Sequence, residues 1–152
     1  MAEIAVLLGS KSDIAFWEDS KKYIEYFNIQ ADLHILSAHR TPEQVSEFAK
    51  NASDAGYKVL IAGAGMAAHL AGALAAHTKL PVLGVPLPGG IMDGIDALLS
   101  TVQMPAGVPV ATFAVGNAGM RNALIFAIQI LALNNQDLNE KLETFKKQGA
   151  RL

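Results

Sequence analysis

The chain has 152 residues and a formal net charge of -2. That length suits one domain over residues 1–152, and that charge leaves no basic field for nucleic acid. Hydrophobic residues make up 51% and charged residues 17%, so either both faces of a sheet are covered or much of the surface lies in subunit contacts. Cys is absent, which excludes disulfides and thiolate metal sites and fits a reducing, cytoplasmic setting.

The N-terminus has no basic n-region and runs straight into an apolar strand over Ile4–Leu8, so no signal peptide is expected. Gly9-Ser10-Lys11-Ser12-Asp13 follows. A segment of helical periodicity comes next, with Ile14, Trp17, Ile24 and Phe27 inward and Glu18, Lys21, Lys22 and Glu25 outward. Backbone N–H groups and hydroxyls at such a strand-to-helix loop favour phosphate. The competing role for Ser12 or Asp13 is to cap the helix. The loop is neither a Walker A sequence nor GxGxxG, so a nucleoside triphosphate or dinucleotide is not indicated.

The second strand is Ala31–Leu36, and His34 within it reads as a structural or surface histidine. Ser37-Ala38-His39-Arg40-Thr41-Pro42 then opens a helix over Pro42–Ala55. Thr41 is its expected N-cap, Pro42 suits its first position, Gln44 completes a capping box, and Gly56 is its left-handed stop. A proton-transfer group and a fixed cation at this corner point to chemistry on an anionic substrate. The alternative is that Arg40 caps a neighbouring helix and His39 fills the loop.

Val59–Ala62 is the third strand and enters Gly63-Ala64-Gly65-Met66-Ala67-Ala68-His69-Leu70-Ala71-Gly72. These glycines permit close approach of backbone to a ligand, or close helix–strand packing. His69 falls near the next helix N-terminus. His77, at the far end of that helix, is expected to face its dipole. Pro81–Val85 is the fourth strand, and Pro86, Pro88, Gly89 and Gly90 shape the loop to a helix around Asp93–Val102. Val110–Val115 is the fifth strand. A helix around Met120–Leu133 is hydrophobic nearly all round, which predicts a subunit contact. Its most apolar run, Ala123–Leu133, is interrupted by Gln129 and too short to span a bilayer. Asp137–Gln148 reads as a final charged amphipathic helix.

Five strands alternating with helices predict an α/β fold: a three-layer, five-stranded parallel sheet in flavodoxin-like order with a C-terminal helix. A classical Rossmann half is the alternative. In either, Ser10–Asp13, Ser37–Arg40 and Gly63–His69 follow strands one, two and three, so all three loops emerge at one carboxyl-end edge. That convergence predicts a site more strongly than any single motif.

GSKSD, SAHRTP, AGAGMAAHLAG, LPVLGVP and STVQMPAGVPVATFAVGNAG together resemble the N5-carboxyaminoimidazole ribonucleotide mutase family of de novo purine biosynthesis. The likeness runs from about Val6 to Leu131. The chain departs from the family pattern at Met66, where Gly is frequent, and at Ala71, where Pro is frequent. The resemblance implies transfer of a carboxyl group from the exocyclic nitrogen of aminoimidazole ribonucleotide to a ring carbon, with no ATP, metal or organic cofactor. It implies that Ser10, Ser12 and Asp13 bind the ribonucleotide, that Arg40 binds its phosphate, and that Ser37, Ala38 and His39 lie beside the base. His39 would transfer the proton. Gly65, His69 and Leu70 would close over the carboxylate and imidazole. A homo-octamer is implied, as is functional coupling to the ATP-dependent enzyme that makes the substrate. Two other readings stand beside it. A carboxylase using free CO2 belongs to a branch that typically carries Lys at the position of Arg40 and lacks the following Pro. A non-catalytic flavodoxin-like module would bind a nucleotide or flavin and need no histidine at the second corner.

Overall fold

The computed structural model describes all 152 residues. Five parallel strands form one sheet: β1 (Ile4–Leu8), β2 (Ala31–Ile35), β3 (Val59–Gly65), β4 (Val82–Leu87) and β5 (Ala111–Thr112). Their spatial order is β2-β1-β3-β4-β5, the flavodoxin-like order rather than a Rossmann half. The seven helices are α1 (Ile14–Glu18), α2 (Lys21–Phe27), α3 (Pro42–Asn51), α4 (Leu70–Ala75), α5 (Ile95–Val102), α6 (Asn117–Ala132) and α7 (Gln136–Lys147). No helix is long and apolar enough to cross a membrane.

The alternation of strand side chains builds two cores. Ile4, Val6, Leu8, Val59, Ile61, Leu83 and Val85 point one way, to Trp17, Phe27, Met120, Leu124 and Phe145 of α1, α2, α6 and α7. Ala5, Leu7, Leu60, Ala62 and Val82 point the other way, to Val45, Ala49, Leu70 and Leu74 of α3 and α4. Covering both faces explains why the strands read as continuous apolar runs.

Several boundaries differ from the sequence expectation. The helix expected over Ile14–Phe27 is split at Asp19-Ser20 into α1 and α2. Trp17 and Tyr23 are both buried, with Ile24 only half-buried. On a straight helix side chains six apart stand about 120° apart, and the break at Asp19-Ser20 lies between these two buried residues. Buried Ser20 donates from its hydroxyl to the Phe16 carbonyl at 3.3 Å, and Asp19 accepts from Arg121 of α6.

β3 runs three residues past Ala62, because Gly63, Ala64 and Gly65 pair in register with Val85, Pro86 and Leu87. At Gly63 the packing role holds: a Cβ there would lie 2.8 Å from Leu8 Cδ2 and 3.1 Å from Met120 Cε. β5 is only Ala111–Thr112 instead of six residues. Beyond it, the Phe113 N–H donates to the Gly84 carbonyl and the Gly116 N–H to Pro86, so the chain leaves the ladder as a blunt edge. α6 starts at Asn117 and buries Met120, Ala123, Leu124, Ala127 and Ile128, while Phe126 is exposed.

His34 is structural, as expected. Its Nε2 lies 3.2 Å from the Tyr57 hydroxyl, which donates to Asp32 Oδ2 at 2.8 Å, and its ring packs on Phe48. Burial and the bond to Asp32 push the Tyr57 hydroxyl up to about 12. Burial pushes His34 down, against the opposing pull of Asp32. His77 stands just past the end of α4 and is exposed.

Candidate active site

The carboxyl ends of β1 to β4 meet at one edge, over a cleft of about 830 Å³. Every candidate residue lines it: Ser10, Ser12, Asp13, Ser37, Ala38, His39, Arg40, Gly65, His69 and Leu70. Three loops far apart in sequence therefore share one volume.

After β1 the chain makes a 3-10 turn over Lys11–Asp13. Its cap is Ser10, not Ser12 or Asp13: Ser10 Oγ accepts from the Ser12 N–H at 3.3 Å and lies 2.9 Å from Ser12 Oγ. Asp13 sits at the N-cap position of α1 without a side-chain cap bond. Its carboxylate lies 3.3 Å from Ser12 Oγ and lines the cleft. Burial pushes the Asp13 carboxyl above its ordinary 3.8, while the Ser12 side chain and the Ser10 backbone pull it back part of the way.

That shift fixes a sign. The carboxyl binds its proton more tightly in the folded chain than in the unfolded one. Its contribution to stability is present below the unfolded value and lost as pH rises through the folded one. Asp13→Asn is therefore expected to melt higher than wild type at pH 7, with the gap closing as pH falls through the raised folded value and gone below about pH 4. Melting curves of both proteins between pH 3 and 7 test this; a gap that widens on acidification contradicts it. A half-buried charge kept at a cost to the fold is a mark of a functional site.

After β2 the chain closes a tight corner. Thr41 Oγ1 donates to the Ser37 carbonyl at 3.1 Å and accepts from the Ser37 N–H at 3.2 Å. Ser37 Oγ accepts from the Arg40 N–H at 3.2 Å. The expected capping box is absent: Thr41 makes no cap bond to α3, because its hydroxyl is committed to the corner. Pro42 does start the helix. The consequence is a braced loop in which His39 and Arg40 project exposed side chains from a fixed backbone, with Ala38 buried beneath.

After β3, Met66 takes φ +56° and its carbonyl accepts from the Ala68 N–H at 2.9 Å. That left-handed backbone is free for glycine and costs a methionine about 1 kcal/mol. The turn brings His69 to the first end of α4. The His39 and His69 rings then lie 5.2 Å apart, tilted by 44°. Two imidazoles from different loops face one volume, beside a permanent cation and a carboxylate. Such a set has the chemistry to bind an anion and to move protons. Ala71 lies in the first turn of α4, a position where proline is tolerated.

Sequence reasoning left out Lys11, Met66, Pro88 and Gly89, which also line the cleft. Pro88 and Gly89 carry no chemistry-bearing side chain. Their signal was position alone, since the loop after β4 must reach the same edge.

The model of the family described as AIR carboxylase matches residues 3–151. The chain belongs to the AIR carboxylase family. Among AIR carboxylase relatives, the N5-carboxyaminoimidazole ribonucleotide mutase of Escherichia coli K12 is 46% identical over 146 residues, covering 96% of this chain and 86% of that protein. The mutase of Haemophilus influenzae is 49% identical, covering 96% and 89%. That of Mycobacterium tuberculosis is 48% identical, covering 97% and 83%. The crystal structure of Treponema denticola PurE superposes with a TM-score of 0.85 at 26% identity, covering 97% of this chain and 90% of that one. The resemblance carried by GSKSD, SAHRTP and the later motifs thus holds over nearly the full length.

Proposed function

We propose that the chain is an N5-carboxyaminoimidazole ribonucleotide mutase, an isomerase of de novo purine biosynthesis that gives 4-carboxy-5-aminoimidazole ribonucleotide. The observation that carries this reading is the convergence of the Ser10–Asp13, Ser37–Arg40 and Gly65–Leu70 segments on one cleft. Relatives 46–49% identical that bear the mutase name support it.

Arg40 forks onto the phosphate, helped by the N–H groups of the Ser10–Ser12 loop. Asp13 repels phosphate but accepts ribose hydroxyls. Ser37 and Ala38 flank the base. His39 delivers a proton to the exocyclic nitrogen as the carbamate C–N bond breaks and its electron pair stays on nitrogen. The freed CO2 is then attacked by the ring carbon, a C–C bond forms, and the ring-carbon proton passes to His39. The imidazole ends as it began, so one histidine serves both steps. Gly65, His69 and Leu70 close the pocket around CO2, and proximity makes recapture faster than escape.

The test supplies substrate labelled with heavy carbon in its carboxylate, without ATP and in unlabelled bicarbonate. Early product should retain the label. If the labelled compound is inert while aminoimidazole ribonucleotide and bicarbonate react quickly, the carboxylase replaces the mutase. Flavin absorbance in the purified protein would favour the binding-module reading.

Self-association as a homo-octamer is part of this proposal. Exposed Ile91, Met92, Ile95, Leu99 and Val102 at and before α5, and Phe126 on α6, form apolar surface suited to a partner copy. Light scattering is expected to find an oligomer at micromolar concentration; a stable monomer refutes it. A cytoplasmic setting and coupling to the ATP-dependent enzyme that makes the substrate complete the reading.

A further inference from the structure

We propose that Met66 is a positioning residue whose thioether side chain folds over the mouth of the cleft and keeps freed CO2 beside the ring carbon. This rests on the carboxyl-transfer reading. Met66 lines the cleft and is 66% exposed. No other cleft-lining residue is a large exposed hydrophobic.

Its backbone is held at φ +56°, where glycine is the default residue. A methionine there carries conformational strain that its own packing does not offset, because the side chain is mostly in solvent. Within the chain little packing offsets that strain, and the cleft that Met66 lines is where an entering substrate would meet its side chain. Its neighbours Ala64, Gly65 and Ala67 are too small to reach across the mouth. Apart from Pro88 and Gly89, the remaining exposed rim is polar, with Ser10, Lys11, Ser12, His39 and Arg40.

CO2 is the one species in the reaction that polar groups hold poorly. It carries no charge once the C–N bond has broken, and confinement must retain it until the ring carbon attacks. Methionine suits a cover that opens and shuts. It is unbranched, has three rotatable bonds, and its sulfur packs well against aromatic rings such as a bound imidazole. The phosphate end of the cleft, at Arg40 and the Ser10–Ser12 loop, lies outside this role, so nucleotide affinity should not depend on it.

The experiment compares wild type, M66A, M66L and M66G on substrate labelled in its carboxylate, in unlabelled bicarbonate, with early product analysed by mass. M66A keeps a Cβ at the strained position but removes the cover. It should make unlabelled early product in a fraction at least roughly twofold above wild type, with KM within about twofold. M66L, of similar bulk, should restore retention. M66G should lose label as M66A does yet melt higher than M66A, because glycine relieves the left-handed strain. M66A that retains label as wild type does overturns the role of Met66 while the transfer reading stands. A wild type that leaves the labelled compound untouched overturns the transfer reading, and the role of Met66 falls with it.

Discussion

The His39→Asn variant is expected to bind nucleotide and turn over at least about 100-fold more slowly than wild type, the usual range for loss of a general acid–base group. The fold should not suffer. The corner is braced by Ser37 and Thr41, whose bonds run through Ser37 Oγ, Thr41 Oγ1 and backbone, none of them through the imidazole. His39 itself is exposed, so truncation leaves no buried cavity. Asparagine keeps a polar side chain but cannot take and return a proton. His69, whose ring is 5.2 Å away, is the obvious source of residual activity. The His39→Asn, His69→Asn double variant should therefore fall below the single one. Turnover, nucleotide affinity and melting temperature measured on the same samples decide the matter. Near-normal turnover in the single variant removes His39 from the chemistry.

Much of this was legible in the chain because a parallel sheet imposes simple rules. Strands buried on both faces read as short apolar runs, and β1 falls where the run Ile4–Leu8 lies. Parallel connections put every strand-to-helix loop at one edge, so the cleft followed from strand count alone. What the sequence hid was set by tertiary contacts. The break between α1 and α2 falls at Asp19 and buried Ser20, where Asp19 is tied to Arg121 of α6, a contact that no local pattern reveals. Gly63 is small because Leu8 and Met120 press on it, while Gly65, two residues on, lines the cleft; the string of glycines and alanines does not separate the two roles. Thr41 has the residue type and spacing of a cap, yet its Oγ1 accepts from the Ser37 N–H and not from the first turn of α3. The pairing of His39 with His69 was implicit in the topology, but their closeness depends on the left-handed turn at Met66. Methionine does not favour a left-handed backbone, so the local pattern pointed away from that turn.

Arg40→Ala is expected to raise the substrate KM by on the order of 100-fold, with a smaller change in kcat. Two charge-assisted bonds to phosphate contribute about 1.5–3 kcal/mol each, and losing such a fork outweighs any other single contact in the cleft. The guanidinium forms no ion pair within the chain, whose ion pairs are Lys21–Glu18 and Arg121–Asp19. Its removal should thus leave the melting temperature unchanged, which separates binding from folding. Arg40→Lys should fall between, keeping charge but losing the planar fork. The decisive comparison uses the nucleoside, which lacks the phosphate. If Arg40 reads phosphate, the nucleoside binds wild type about as weakly as the nucleotide binds Arg40→Ala, and binds both proteins alike. The nucleotide's affinity for wild type should also fall more steeply with added salt than its affinity for the variant, because screening acts on the charge that the variant has already lost. Equal binding of nucleoside and nucleotide to wild type would show that Arg40 serves some other part of the substrate, and the carboxylate beside His39 would be the first place to look.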